Sequence, residues 1–130
     1  METFKVIVAG GRTFKDMRLA FEELDRLLID KGETVEIVSG GQCTTDPKTG
    51  RKYGADYIGE KYATTYRHCK LTKFPADWNT HGKSAGPKRN RQMAEYADAL
   101  VAFWDGKSHG TKNMIDYAKG KGLKVRIIRY

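Results

Sequence analysis

The sequence predicts an α/β fold, Rossmann-like, with an open, mostly parallel five-stranded sheet and helices on both faces. Three observations predict it. Ala99–Trp104 (ALVAFW) is an unbroken apolar run, the pattern of a strand covered on both faces. Short strand-like runs alternate with helix-length segments along the whole chain, as β-α-β-α-β-α-β-α-β. Small, polar, Gly-rich turns follow several of the predicted strands, where such folds hold their ligands.

Phe4–Ala9 (FKVIVA) is the first strand, and Gly10-Gly11-Arg12-Thr13 is a tight loop after it. Asp16–Lys31 reads as a helix because Ala20, Phe21, Leu24, Leu27 and Leu28 recur at helical spacing. Lys31-Gly32 closes it with a cation in the last turn and a glycine beyond. Thr34–Ser39 (TVEIVS) is the second strand, followed by Gly40-Gly41. Gln42–Tyr53 (QCTTDPKTGRKY) interrupts the alternation. Its Asp-Pro and Thr-Gly turn signals, with no helical period, mark an excursion or small hairpin; a lid, an oligomer contact and a tolerated insertion are all open as its role.

Gly54–Arg67 is the second helix, with Ile58, Tyr62 and either Thr65 or Tyr66 facing inward. Cys69–Phe74 is a short third strand and Pro75–Ala85 a loop. Gly86-Pro87 opens the third helix, proline suiting a first turn, and this helix runs to about Tyr96. Ala99–Trp104 is the fourth strand, a helix from about Thr111 to Gly120 follows, and Leu123–Ile128 is the last strand.

The 130 residues suit one domain with a real core. No apolar run is long enough to cross a bilayer, and Met1-Glu-Thr-Phe-Lys leads straight into a strand, so neither a membrane partner nor a signal peptide is expected. Cys43 and Cys69 are too few for a disulfide framework and suit a reducing cytoplasm. The formal charge of +8 favours anionic partners such as nucleotides or nucleic acid, although no block of like charge forms and a plain solvated surface is the other reading.

The predicted carboxyl ends of the strands are Gly10–Thr13, Ser39–Gly41, Pro75–Trp78 and Asp105–Thr111. Asp105-Gly-Lys-Ser-His-Gly-Thr111 joins a buried strand to a helix, so its backbone N–H groups and the helix end converge on an anion, usually phosphate. Lys88, Arg89 and Arg91 stand at a helix start where acidic residues are the rule, and a bound anion explains them. Arg89 can clamp phosphate bidentately, with Asn90 beside it. Ser108 and Thr111 offer hydroxyls to phosphate oxygens, and Trp78 or Trp104 either stacks on a base or packs in the core.

Several enzyme classes are excluded. Gly10-Gly11-Arg12-Thr13 is not G-x-G-x-x-G, and Ser39-Gly40-Gly41 stands where a dinucleotide fold carries its ribose-binding acid. Gly106-Lys107-Ser108 and Gly82-Lys83-Ser84 resemble the end of a P-loop, but the first glycine of that motif falls on Val101 and Asp77. Gly106–Gly110 also fits G-x-S-x-G, yet no histidine follows His109 to complete a triad. His68, His81 and His109 show no metal-ligand spacing with the cysteines, so no metal and no resident cofactor are expected; His81 reads as an exposed loop histidine or a ligand contact.

Taken in order, VAGGRTF (Val8–Phe14), VSGG (Val38–Gly41), GAD-x-x-GE (Gly54–Glu60), FPADW (Phe74–Trp78), GK-x-AGP-x-RN (Gly82–Asn90) and ADALVAFWDG-x-S-x-GT (Ala97–Thr111) resemble the SLOG superfamily, in its YspA-like branch. The resemblance spans nearly the whole chain. It implies a Rossmann-like fold and a nucleotide-derived ligand, with the LOG phosphoribohydrolases and the DNA-processing protein DprA as relatives. Likeness to LOG proteins also implies a homodimer. Two departures stand out. The branch joins VSGG to GAD by a very short link containing Arg, whereas here Gln42–Tyr53 is longer and Arg51 or Lys52 would have to take that place. LOG enzymes carry a catalytic Glu where this chain has Asn113, which cannot serve as a carboxylate base, and the LOG motif R-K-x-x-M is matched only in part by Arg89–Met93.

The expected function is binding of a nucleoside monophosphate, NAD or ADP-ribose type ligand, by a sensor or sequestering module. Gly10, Gly11, Arg12, Thr13, Ser39, Gly40, Gly41, Trp78, Arg89, Asn90, Gly106, Ser108, Gly110 and Thr111 are its candidate ligand residues. One alternative is a nucleotide N-glycosidase or phosphoribohydrolase, in which Asp105, Asp56 or Glu60 replaces the missing Glu. Another is a module that binds single-stranded nucleic acid, suggested by the charge and the likeness to DprA.

Overall fold

A computed structural model gives the structure of the protein and describes residues 3–29 and 34–130. Its elements run β1 (Phe4–Gly10), α1 (Met17–Leu28), β2 (Val35–Ser39), β3 (Thr44–Thr45), β4 (Lys52–Tyr53), α2 (Ala55–Thr65), β5 (Cys69–Lys73), α3 (Trp78–His81), α4 (Ala85–Tyr96), β6 (Ala99–Trp104), α5 (His109–Gly120) and β7 (Lys124–Arg129). Five strands form one parallel sheet in the order β5-β2-β1-β6-β7, and β3 and β4 form a separate antiparallel pair. The chain builds outward from β1 in one direction, then returns to its other side with β6. The reversal of strand order lies between β1 and β6, where Val6 sits opposite Ala99 and Gly10 opposite Phe103. In open α/β sheets the ligand crevice opens at the carboxyl end of such a reversal.

Two cores explain why the central strands are largely apolar. Val6, Val8, Ile37, Val101 and Phe103 face α1 and α2, where Leu24, Ile58 and Tyr62 meet them. Ile7, Ala9, Val38, Leu100 and Ala102 face α4 and α5, against Met93, Met114 and Ala118. Successive β residues point to opposite faces, so a strand with helices on both sides has no position for an exposed polar side chain. Burying each Val, Leu or Ile of this kind contributes about 1.5–3 kcal/mol.

The expected elements are present, with shifted ends. α1 starts at Met17 because Asp16 is its cap, accepting from the Leu19 N–H at 3.0 Å. The closing pair Lys31-Gly32 lies outside the described residues. Pro75–Ala85, expected as a loop, instead holds α3 and a 3-10 turn over Gly82–Ser84. The local reason is Asp77, whose carboxylate accepts from the Thr80 N–H at 3.1 Å and nucleates a turn. α5 begins at His109 rather than Thr111, capped by Ser108. No helix among the described residues is long and apolar enough to cross a membrane.

Candidate functional site

The loop after β1 is held from below by Phe14. This ring is buried, stacks on Phe103 at 4.6 Å and meets Tyr130 at 4.8 Å. Anchoring Phe14 in the core leaves Arg12 and Thr13 exposed at the sheet edge. Gly10 lets the loop pass close to β6: a Cβ there would stand 2.2 Å from the Phe103 carbonyl oxygen. The Gly11 N–H donates to the same oxygen at 3.0 Å, tying the two strand ends together.

Above this junction opens a cavity of about 720 Å³, between the β1 loop, the start of α2, the first turns of α4 and the β6–α5 loop. Arg89 forms part of its floor. The guanidinium is buried; Nη1 donates to the Gly40 carbonyl at 2.6 Å and Nε to Asn90 Oδ1 at 3.0 Å. Asn90 then donates from Nδ2 to the Gly110 carbonyl at 3.3 Å and to Asn113 Oδ1 at 3.0 Å. One network therefore links the ends of β2, α4 and α5. Gly40 makes room for it, since a Cβ at that position would lie 2.4 Å from Arg89 Nη1 and 2.9 Å from Asp56 Oδ2.

Asp56 lies in the first turn of α2, buried beside Arg89. Its Oδ2 accepts the Gln42 N–H at 3.1 Å. Burial pushes its carboxyl up to about 6, against the opposing pull of the Gln42 N–H and the Arg89 charge. Burial likewise pulls Arg89 below its ordinary value, with Asp56 acting the other way.

The three candidate carboxylates occupy different surroundings. Asp105 Oδ1 accepts the N–H groups of Lys107 and Ser108, both at 2.8 Å, which shapes the β6–α5 loop and holds its carboxyl below the usual range. Glu60 stands away from the cavity walls, bonded to the Ser39 hydroxyl at 2.8 Å and paired with Lys73 at 3.2 Å. Asp56 and Asp105 both line the cavity, and of these two only Asp56 has its carboxyl raised, to about 6. Asn113, at the position of the LOG glutamate, lines the cavity with its carbonyl taken by Asn90.

Of the candidate ligand residues, Gly10, Gly11, Arg12, Thr13, Trp78, Arg89, Asn90, Ser108, Gly110 and Thr111 line the cavity. Ser39, Gly40, Gly41 and Gly106 do not. Ser39 is fully buried: its hydroxyl accepts the Gly41 N–H at 3.0 Å while donating to Glu60. Gly40 acts through the carbonyl that holds Arg89, and Gly106 lies under the Arg129 guanidinium. Ser108 caps α5, and its hydroxyl is within 3.2 Å of that of Thr111. Trp104 packs against the second core and donates from Nε1 to the Ser108 carbonyl at 3.1 Å, whereas Trp78 is 47% exposed.

Gln42, Cys43, Thr44 and Tyr53 also line the cavity, and the sequence reading did not assign them to it. They belong to the 42–53 excursion, which forms a hairpin folded back against the β1 loop. Thr44 Oγ1 donates to the Arg12 carbonyl at 3.1 Å, and Lys15 Nζ sits 4.5 Å above the Tyr53 ring. Arg51 and Lys52 are exposed and take no part in the cavity walls. His109 lines the cavity at the start of α5, while His81 does not. Among the described residues no His, Cys, Asp and Glu cluster can hold a metal ion.

No family model matches the chain. The Gene 61 protein of Mycobacterium phage D29 is 31% identical to it over 126 residues, which cover 93% of either chain. Among solved structures, DNA processing protein A from Helicobacter pylori, described for its single-stranded DNA binding mode, superposes with a TM-score of 0.63 at 19% identity. That match covers 95% of this chain and 64% of the other, so the present chain spans about two thirds of its length and shares its fold.

Proposed function

The chain belongs to the family of the Gene 61 protein of Mycobacterium phage D29, and we propose that its carboxyl-edge pocket binds single-stranded DNA, seating one nucleotide unit between the β1 and β6 loops. The observation that carries this reading is a nucleotide-sized pocket with a buried guanidinium in its floor and exposed cations in the elements that wall it: Arg12, Lys88 and Lys107. Small-ligand pockets run to roughly 300–1,000 Å³, and this one falls inside that range. Cations supply the sequence-independent attraction that a phosphodiester chain requires, and the +8 charge adds to it. The shared fold with a protein described as binding single-stranded DNA supports the same choice. By its motif order we place the chain in the YspA-like branch.

A second reading, capture of a small nucleotide-type ligand by a sensor, is favoured by the prearranged Arg89–Asn90–Asn113 floor. Glycosidic cleavage would rest on Asp56. The test is fluorescence anisotropy with labelled single-stranded and duplex oligonucleotides from about 50 to about 200 mM salt. Single strands bind more tightly than duplex, and log K falls linearly with log salt. Retention of dTMP with no oligonucleotide binding at the lowest salt overturns DNA binding in favour of the sensor.

A further inference from the structure

Beyond the main pocket, a second cavity of about 650 Å³ opens between Arg12, the first strand of the hairpin and Trp78. It shares Arg12, Gln42, Cys43, Thr44 and Trp78 with the inner pocket and adds Thr45, so the two are continuous. We propose that this outer groove is a second nucleotide subsite, in which the Trp78 indole stacks on a base and Arg12 and the basic hairpin tip hold the phosphate chain leaving the pocket. The proposal rests on the single-strand reading above and deepens it: the ligand is at least a dinucleotide, and the hairpin is a backbone-binding arm.

Trp78 is built for this role by its seat. Its ring rests on Gly86, where a Cβ would come within 3.2 Å of the indole Cη2, yet nearly half of the residue faces solvent. A large aromatic held from behind and open in front is a stacking platform, and bases of any sequence stack on it. The opposite wall is equally well held. Asp46 Oδ1 accepts from the Lys48 N–H at 2.8 Å, the Asp46 N–H donates to the Arg51 carbonyl at 2.8 Å, and Thr44 bonds to the Arg12 carbonyl. These bonds fix a short hairpin whose exposed end carries Lys48, Arg51 and Lys52. The groove extends outward from the inner pocket past Thr45, so a ligand that fills both reaches beyond the unit seated between the β1 and β6 loops.

The experiment compares dTMP with oligothymidylates of increasing length, by calorimetry, on the wild type, Trp78→Ala and the double variant Lys48→Glu/Arg51→Glu. All three changed side chains are exposed, and unchanged thermal melting confirms folding. Wild-type affinity rises by about tenfold or more from dTMP to a short oligonucleotide. The double variant erases most of that gain and leaves dTMP binding as it was, and Trp78→Ala weakens the oligonucleotide by about tenfold and dTMP by less. Length-independent affinity, or a gain that survives both variants, overturns the subsite while leaving DNA binding intact. Absence of oligonucleotide binding in the wild type overturns both.

Discussion

Arg89 and Arg12 both read as anion ligands in the sequence, and the fold puts them to opposite uses. Arg89, in the pocket floor, is buried and already committed to the Gly40 carbonyl and to Asn90, with Asp56 beside it. Arg12, at the rim, is exposed, and its backbone rather than its charge ties it to the hairpin. A buried charge of this kind is expensive to desolvate and is held by fixed partners, so it contributes shape and orientation. An exposed charge is screened by salt, contributes little to stability and attracts ligand from a distance. Under the proposed function, the floor would set what fits and the rim would set how strongly a polyanion is drawn in.

Removing the floor charge is the harshest way to break this contrast. Arg89→Ala strips the donors from Gly40 and Asn90 and leaves Asp56 without its nearby cation. We expect a loss of about 3–5 kcal/mol in chemical denaturation together with loss of ligand binding, and Arg89→Lys does not restore the fork of donors. A smaller disturbance of the same place is Gly40→Ala. Its methyl meets Nη1 of Arg89 at 2.4 Å, so the guanidinium must move. The expected cost is about 1–3 kcal/mol, with weakened binding, although no charge has been changed. Wild-type stability and binding in Gly40→Ala would show that the floor is not tightly held.

The same contrast explains what was readable from sequence. β6 and β1 were legible because two-sided burial leaves an apolar run, and the turns after them because glycine marks close approach. Arg89 and Asn90 were legible as a polar pair out of place at a helix start. Ser39 and Gly40, adjacent to a strand end in the same way, were assigned to the ligand, yet Ser39 bonds inward to Glu60 and Gly40 serves Arg89 through its carbonyl. Sequence shows that such residues sit at an edge but not which way their groups point. The excursion was legible as a small hairpin with a lid among its open roles, but its place in the cavity wall was not, for another reason. Gln42–Tyr53 has turn signals but no long-range pattern, and the Gln42–Asp56 bond, the Thr44–Arg12 bond and the Lys15–Tyr53 contact fold it over the site. Each joins residues far apart along the chain, and no local periodicity encodes them.

At the rim the expected effects are on binding alone. Arg12→Ala should change stability by no more than about 0.5 kcal/mol, because its side chain is exposed. It should weaken single-stranded DNA binding by roughly fivefold near 0.1 M salt and flatten the salt dependence by about 0.7 in slope, the share of one phosphate contact. An unchanged slope would move the phosphate contact from Arg12 to other rim cations.

Asp56 sharpens the comparison most finely, because it changes the charge of the floor without removing a side chain. Its carboxyl is raised in the folded protein from 3.8 to about 6 by burial. A raised carboxyl favours the folded state while protonated, so its contribution to stability is fully present below 3.8 and lost as pH rises through about 6. The charged groups that act on it are Arg89 and Arg12, which lower it, and Glu60, which raises it with burial. An anionic ligand beside Asp56 is repelled by the carboxylate and not by the acid, so binding should tighten as pH falls through about 6. We expect roughly a threefold gain, small because Arg89 already offsets the negative charge. Other groups line the same cavity, so the informative quantity is the difference between wild type and Asp56→Asn. The ligand should carry only phosphodiester groups, since a terminal phosphate itself titrates near pH 6. Asn keeps an oxygen for the Gln42 N–H, so Asp56→Asn should fold, bind slightly more tightly at neutral pH and show a flatter pH profile. If the two proteins have the same pH profile, the floor charge does not reach the ligand, and pH dependence belongs to the exposed groups of the rim.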